Sequence, residues 1–161
     1  MYHPRMTLFH NPASPYVRKV MVLLHETGQF SSLTYADMPF VMAPGLWFRL
    51  RGKLETKPKR ERPHSDGIFV DEESPEALDE IFFRTFAYSD FVGSKHLKAH
   101  MLDAQLQERF RDYLGIVLSH KGGNRYLSKN NNHILRLDSL CGLFPNAVIL
   151  VPFRDPLQQA S

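Results

Sequence analysis

The C-terminal stretch from Arg125 to Ser161 constrains the fold more than any other part of the chain. It reads as a short strand that ends in a lysine and an asparagine run, then a helix, then an apolar strand over Asn146–Phe153 that leads into Arg-Asp-Pro. In α/β proteins, ligands bind beyond the carboxyl ends of the strands. The stretch therefore predicts an α/β domain, and Arg154 follows a strand where an arginine is well suited to hold a phosphate.

The rest of the chain adds further helices and few strands. Apolar spacing and the positions of Pro and Gly predict the strand Thr7–His10, a β-ribbon segment over Asp66–Asp71, and helices over Tyr16–Glu26, Pro44–Leu50, from Ser74-Pro75 onward, and over Ser94–Ser119. Gly28 and Gly122-Gly123 are placed to end two of the helices. Because only three strands are evident and helices separate them, we expect a small parallel sheet flanked by helices.

Composition narrows the classes of function. At 161 residues the chain is long enough for one domain with a substantial core. The net charge of +3 suits small anionic ligands, but it is too small and too diffuse to indicate nucleic acid. No apolar run approaches the roughly 20 residues of a membrane span, and the N-terminus does not have the pattern of a signal peptide. We therefore expect a cytoplasmic protein that binds neither membrane nor nucleic acid.

The cysteine and histidine patterns favour no metal site. A single cysteine excludes an intrachain disulfide and a multi-cysteine zinc site. Cys141 lies in the apolar run LDSLCGLF, which predicts a buried thiol. His96 and His100 are spaced for two ligands on one helix face, but a third ligand is not evident, so no metal site is predicted.

From about residue 27 to its end, the chain resembles bacterial sulfotransferase-family proteins. The resemblance rests on GQFSSLTYADMPFVMAPGLW, on HSDGIFVDEESPEALDEIFFRTF, and above all on RYLSKNNNHILRL with FPNAVILVPFRDP. Members of this family transfer a sulfuryl group from 3′-phosphoadenosine 5′-phosphosulfate (PAPS) to a hydroxyl or an amine. The resemblance implies a partial P-loop-type three-layer sandwich, PAPS as co-substrate and a small-molecule acceptor.

The resemblance also implies roles for individual residues. In the family, the arginine after the strand binds the 3′-phosphate of the donor together with a serine of the next helix, which points to Arg154 and Ser161, although Ser161 lies one position closer than the family serine. The family lysine at the end of the preceding strand touches the phosphosulfate and matches Lys129, whose compact charge suits a departing bridge oxygen. The general base that sulfuryl transfer needs has His133 as a candidate, and an ordinary helix residue is the alternative.

The N-terminal segment, about residues 6–29, resembles another family. MTLFHNPASPYVRKVMVLLHETGQ is similar to the opening strand and helix of bacterial glutathione S-transferases, in which a serine or cysteine matching Ser14 meets the glutathione thiol. A sulfotransferase should carry a glycine-rich phosphosulfate loop here. The loop NPASPYVRK contains no glycine, and Pro12 and Pro15 each remove a backbone N–H. Ser14 and Arg18 remain candidates to meet an anion at the helix start, with a simple N-cap as the alternative for Ser14.

Together the two resemblances predict a truncated or chimeric chain. Residues 1–161 would form one incomplete α/β domain, with a glutathione-transferase-like opening over 1–28 and a sulfotransferase-like segment over 29–161. Little or no catalysis is expected from this chain alone, because the donor loop is missing. Two alternatives stay open: a glutathione S-transferase-like protein of thioredoxin fold, and a non-catalytic remnant or partner-binding domain that self-associates through unpaired core surface.

Overall fold

The computed structural model describes the backbone of residues 5–9 and, in full, residues 24, 27–51, 60–61 and 69–150. Its strands are β1 (Arg5–Phe9), β2 (Phe30–Ser31), β3 (Arg60–Glu61), β4 (Phe69–Val70), β5 (Arg125–Lys129) and β6 (Val148–Leu150). Its α-helices are α1 (Pro44–Leu50), α2 (Glu80–Phe86), α3 (Tyr88–Phe91), α4 (Ala104–Lys121) and α5 (Leu137–Leu143). Two 3₁₀ helices cover Tyr35–Phe40 and Asn131–Arg136.

The main sheet has four parallel strands in the order β2-β5-β1-β6. β1 lies between β5 and β6, and its last residue, Phe9, pairs with Lys129 of β5 and with Leu150 of β6. β2 pairs with the start of β5, where Phe30 lies opposite Arg125. The carboxyl ends of β1, β5 and β6 therefore meet at one edge of the sheet, which confirms the predicted small parallel sheet.

Helical residues pack on both faces of this sheet. Tyr126 of β5 belongs to the main core with residues of α4 and α5, among them Phe110 and Leu140. The next residue, Leu127, packs instead against Phe30 and against Leu24, which is helical. Because successive side chains of a strand point to opposite faces, the two clusters lie on opposite sides of β5. The sheet is therefore flanked by helices, as predicted.

Helix α4 begins later than its apolar pattern predicts. The sequence predicts a helix from Ser94, but Asp103 caps the observed helix by accepting the Leu106 amide at 2.7 Å. Residues 92–102 are not helical, and there the amide of His100 donates to the carbonyl of Leu135 at 2.8 Å. Tertiary hydrogen bonds thus replace the first two predicted turns. At the other end the prediction is confirmed, because α4 stops at Lys121 before a left-handed glycine.

Helix α2 also begins later than predicted. Ser74-Pro75 looks like a cap and first turn, but Ser74 lies in a bend and Pro75 forms an isolated β-bridge with Thr34. The Glu76 amide donates to the carbonyl of Leu33 at 2.9 Å, so the backbone groups that would start a helix are used across the chain. The helix consequently starts at Glu80.

Two smaller predictions have opposite outcomes. β4 pairs antiparallel with β3, which confirms a ribbon within the segment Asp66–Asp71 for the residues described there. Cys141, expected to be buried, is exposed. Its helix α5 turns Ser139, Leu140 and Leu143 inward, which leaves the thiol on the outer face.

Candidate functional site

The carboxyl edge of the sheet is the place where this topology would bind a ligand. From β1 the chain crosses β5 to reach β2 at one end of the strand order. From β5 it crosses β1 in the opposite direction to reach β6 at the other end. In α/β proteins, ligands bind beside the ends of neighbouring strands whose connections leave in opposite directions, and here those strands are β1 and β5. Lys129, the partly buried last residue of β5, lies at this edge in register with Phe9.

Of the predicted site residues, Lys129 and His133 belong to the part of the chain that the structure describes. The other predicted binding residues lie outside the described residues: Ser14, Arg18, Arg154 and Ser161. In sequence, the first two follow β1 and the last two follow β6, both of which end at the same edge as Lys129. By strand alternation Lys129 faces the side of the sheet that Leu127 shares with Leu24.

A buried polar cluster lies on the opposite face, directly behind Lys129. Asp79 precedes α2 and is 1% exposed. Its carboxylate accepts the Ser128 hydroxyl at 2.5 Å and the Asn130 side-chain amide at 3.2 Å. His133 Nε2 lies 3.1 Å from Ser128 Oγ and 3.4 Å from Asp79 Oδ2. Asp79 therefore joins the start of α2 to the end of β5 and to the 3₁₀ helix that follows β5.

The charge balance of this cluster favours the ionised carboxylate. Burial by itself raises the pKa of Asp79. The charge of His133 and the hydrogen bonds from His133, Ser128 and Asn130 outweigh burial, so the pKa of Asp79 lies below its ordinary value of 3.8. Asp79 is thus an anion at neutral pH, held by three donors.

Glu80, the first residue of α2, holds the turn after β5. Its carboxylate accepts two N–H groups of Arg136, at 3.2 and 3.3 Å, and the side-chain amides of Asn130 and Asn132, at 2.8 and 2.9 Å. The Arg136 guanidinium also lies 3.8 Å from the ring centroid of Phe83. A fork of this kind fixes orientation as well as distance. Two neighbouring carboxylates therefore hold the backbone that flanks and follows Lys129.

This geometry bears on the prediction that His133 is the general base. A general base must reach the acceptor proton directly or through one water, but His133 is 3% exposed and its Nε2 faces Ser128 and Asp79. Asp79, His133 and Ser128 have the composition of a serine-hydrolase triad. Yet the Ser128 hydroxyl donates to Asp79 and not to His133, and all three side chains are buried, so no nucleophile is presented. His133 is a buried member of this cluster, and its role as general base stays a prediction.

The sequence contains little that identifies this cluster in advance. Asp79 and Glu80 look like ordinary acids at a helix start, and their partners follow about 50 positions later. The one local signal is the polar run SKNNNH, which is too rich in hydrogen-bonding groups for a simple turn. The expectation that His96 and His100 share one helix face is wrong, because both lie outside a helix. Among the described residues, no group of three or more potential ligands gathers to hold a metal.

The chain matches no protein-family model, no curated protein and no solved structure. Within the ranges that the structure describes, no helix combines the length and the apolar character needed to cross a membrane. A functional assignment therefore depends on the sequence motifs and on the geometry at the carboxyl edge of the sheet.

Proposed function

We propose that this chain binds PAPS, and its product adenosine 3′,5′-bisphosphate, at the carboxyl edge of the sheet, as a protein of the sulfotransferase type. The observation that supports this proposal most directly is the position of β1 between β5 and β6. That order directs the ends of three strands, and Lys129 with them, to one edge. The finer fold that goes with the proposal is a partial P-loop-type three-layer sandwich.

Each proposed residue has a chemical role. Arg154, with Ser161, holds the 3′-phosphate through a bidentate, charge-assisted contact. Lys129 stabilises the bridge oxygen on which negative charge develops as the bond between sulfur and that oxygen breaks. An acceptor hydroxyl or amine attacks the sulfur and loses its proton to solvent, and adenosine 3′,5′-bisphosphate departs. Ser14 and Arg18 meet the 5′ phosphate end at the helix start.

We also propose that sulfuryl transfer by this chain is slow. A phosphosulfate cradle needs several backbone N–H groups that point at one anion, and Pro12 and Pro15 have none to offer. We therefore propose binding of the nucleotide with little sulfuryl transfer. The hydrogen bonds from Ser128 to Asp79 and from Asn130 to Glu80 support nucleotide binding. They hold the residues on both sides of Lys129 in place without requiring bound donor.

The test is thermal unfolding with and without adenosine 3′,5′-bisphosphate. At about 100 times its dissociation constant the ligand should add about 2.7 kcal/mol to the free energy of unfolding. Arg154→Ala should abolish the shift and Lys129→Met should reduce it. Arg84→Ala, which removes an exposed arginine of α2, is the matched control and should leave the shift intact.

Three results would contradict the proposal or redirect it. A cooperatively melting wild type without any shift, or an Arg154→Ala variant with the full shift, would refute nucleotide binding at this edge. A shift with glutathione that is lost in Ser14→Ala would favour the glutathione-binding alternative. A concentration-dependent particle size by light scattering, together with no shift for either ligand, would favour a self-associating, partner-binding domain.

A further inference from the structure

A cavity lies at the amino edge of the sheet, away from the proposed nucleotide site. It encloses about 380 Å³ between the start of β2, the end of α1 and the end of α4. Phe30 lines it and pairs with Arg125, the first residue of β5, whereas Lys129 is the last. The length of β5, about 13 Å, therefore separates the two places. The volume falls within the range of small-molecule sites, roughly 300–1,000 Å³.

Three basic side chains converge in this cavity around one aromatic ring. The His120 ring stacks on Phe48 with 4.9 Å between centroids. The Arg51 guanidinium and the Lys121 ammonium lie 5.5 and 5.8 Å from the centroid of the same ring. The two cations among them, Arg51 and Lys121, repel each other unless negative charge lies between them.

The negative charge in place is divided between a buried and an exposed carboxylate. Asp37, with a side chain 2% exposed, lies 3.1 Å from Arg51 and 2.5 Å from Lys121. Glu73 lies 3.2 Å from Arg51, but its side chain is 41% exposed. An exposed carboxylate is screened by water and compensates a buried cation poorly. In the interior, two cations therefore share the one carboxylate of Asp37.

The lowered pKa of Lys121 also indicates that its charge is incompletely compensated. Burial lowers the pKa of Lys121, although the charge of Asp37 and its hydrogen bond act to raise it. The carboxylate in place therefore does not fully offset the cost of burying the ammonium. A further anion near Lys121 and Arg51 would complete the compensation.

We propose that this cavity is a second ligand site, which takes a small organic anion made of a carboxylate or phosphate on an apolar group of about one ring. The oxyanion lies among Arg51, His120 and Lys121 and displaces Glu73 from the guanidinium. An arginine fork suits the planar or tetrahedral oxyanion. The apolar group packs against Phe30 and Phe48, which line the cavity.

Benzoate and phenyl phosphate are the probes, and benzamide is the uncharged control. Titrations followed by NMR on the ¹⁵N-labelled chain should shift the amides of Gly28, Ser31 and His120, and not those of Lys129 and Asn130. Whichever anion binds more tightly identifies the headgroup. Equal binding of benzamide, no binding of either anion, or shifts centred on Lys129 would overturn the proposal.

Glu73→Gln gives a test in which affinity should increase. The variant removes the competing charge but keeps the shape, and because Glu73 is partly exposed it should fold normally. We expect the anion to bind about two- to fivefold more tightly, the effect of one screened charge pair. Glu108→Gln on the exposed face of α4 is the matched control and should change nothing. An unchanged affinity in Glu73→Gln would contradict the site.

Arg51→Met should weaken anion binding at least tenfold, and a urea melt establishes whether that variant is folded. If it is not, Glu73→Gln decides the matter.

Saturating adenosine 3′,5′-bisphosphate should leave benzoate binding unchanged, because the two sites lie at opposite edges of the sheet. Failure of nucleotide binding and failure of this second site are therefore separate results.

Discussion

Asp79 is the residue on which the polar interior of this protein most depends. Its carboxylate is buried, and it gathers donors from β5, from the following turn and from His133. Removing one partner of a buried, hydrogen-bonded charge costs far more than the pair contributes, because the remaining groups stay desolvated. The same holds for Glu80 and Arg136, but the pairs of Glu80 are less deeply buried.

Asp79→Asn should therefore lower the free energy of unfolding at pH 7 by about 3 kcal/mol, measured by urea denaturation. Since the folded-state pKa of Asp79 lies below its unfolded value of 3.8, its contribution is complete above about pH 4 and is lost as pH falls through the lower pKa. The gap between wild type and variant should accordingly narrow below pH 4. Asp112→Asn, an exposed residue of α4, is the control. A gap that stays constant down to pH 2 would contradict this role of the charge.

At the scale of elements, the two ends of α4 set where β5 lies. Asp103 caps the start, and Gly122 ends the helix with a φ of 76°, a conformation that other residues adopt at a cost. The next residue, Gly123, lies against β2. A Cβ there would be 2.9 Å from both the Cβ and the backbone nitrogen of Ser31. The connection from α4 to β5 therefore passes β2 only because Gly123 has no side chain.

Two glycine substitutions near that junction should have opposite signs. Gly123→Ala should destabilise the protein by about 1–3 kcal/mol, because β2 must move away from β5. Gly115→Ala, in the interior of α4 with nothing within 4 Å of its new methyl group, should stabilise it by about 0.5–1 kcal/mol. Thermal unfolding of both variants checks the pair. Equal effects would show that the close approach of Gly123 to Ser31 is not a constraint.

At the scale of the whole molecule, one aromatic cluster joins the helices to the sheet. Phe110 of α4 is fully buried, and its ring centroid lies 4.6 Å from that of Phe83 and 5.1 Å from that of Phe82. Phe144, after α5, contacts the same ring from another side. The residues before and after the candidate site thus share one core, which predicts that they unfold together.

Phe110→Ala should lower the free energy of unfolding by about 3–5 kcal/mol, because the cavity would open among several elements at once. Phe86→Ala, which removes a ring 47% exposed from the neighbouring helix α2, should cost about 1 kcal/mol or less. Near- and far-ultraviolet circular dichroism should report coincident transitions in both variants. Separate transitions in Phe110→Ala would show that the core is divided.

The predictability of this fold differs with the range of the interactions. Pro44–Leu50, the strand that ends at Lys129 and the glycine stop of α4 follow from local spacing, and the structure confirms them. The starts of α2 and α4 were displaced by hydrogen bonds to the carbonyls of Leu33 and Leu135, which no local pattern contains. The exposure of Cys141 likewise depended on which face of α5 met the core.

The sequence by itself determined the class of the fold, because apolar periodicity and Gly and Pro positions are local properties that act on the backbone directly. It also determined that Lys129 would end a strand, since a five-residue β pattern stops there. Only the tertiary structure decided that His133 is buried with Asp79, and that Arg51 and Lys121 pair with the buried carboxylate of Asp37. Those contacts join residues from 14 to 84 positions apart in sequence. Their energies come from burial and charge pairing, which exist only after the chain has closed on itself.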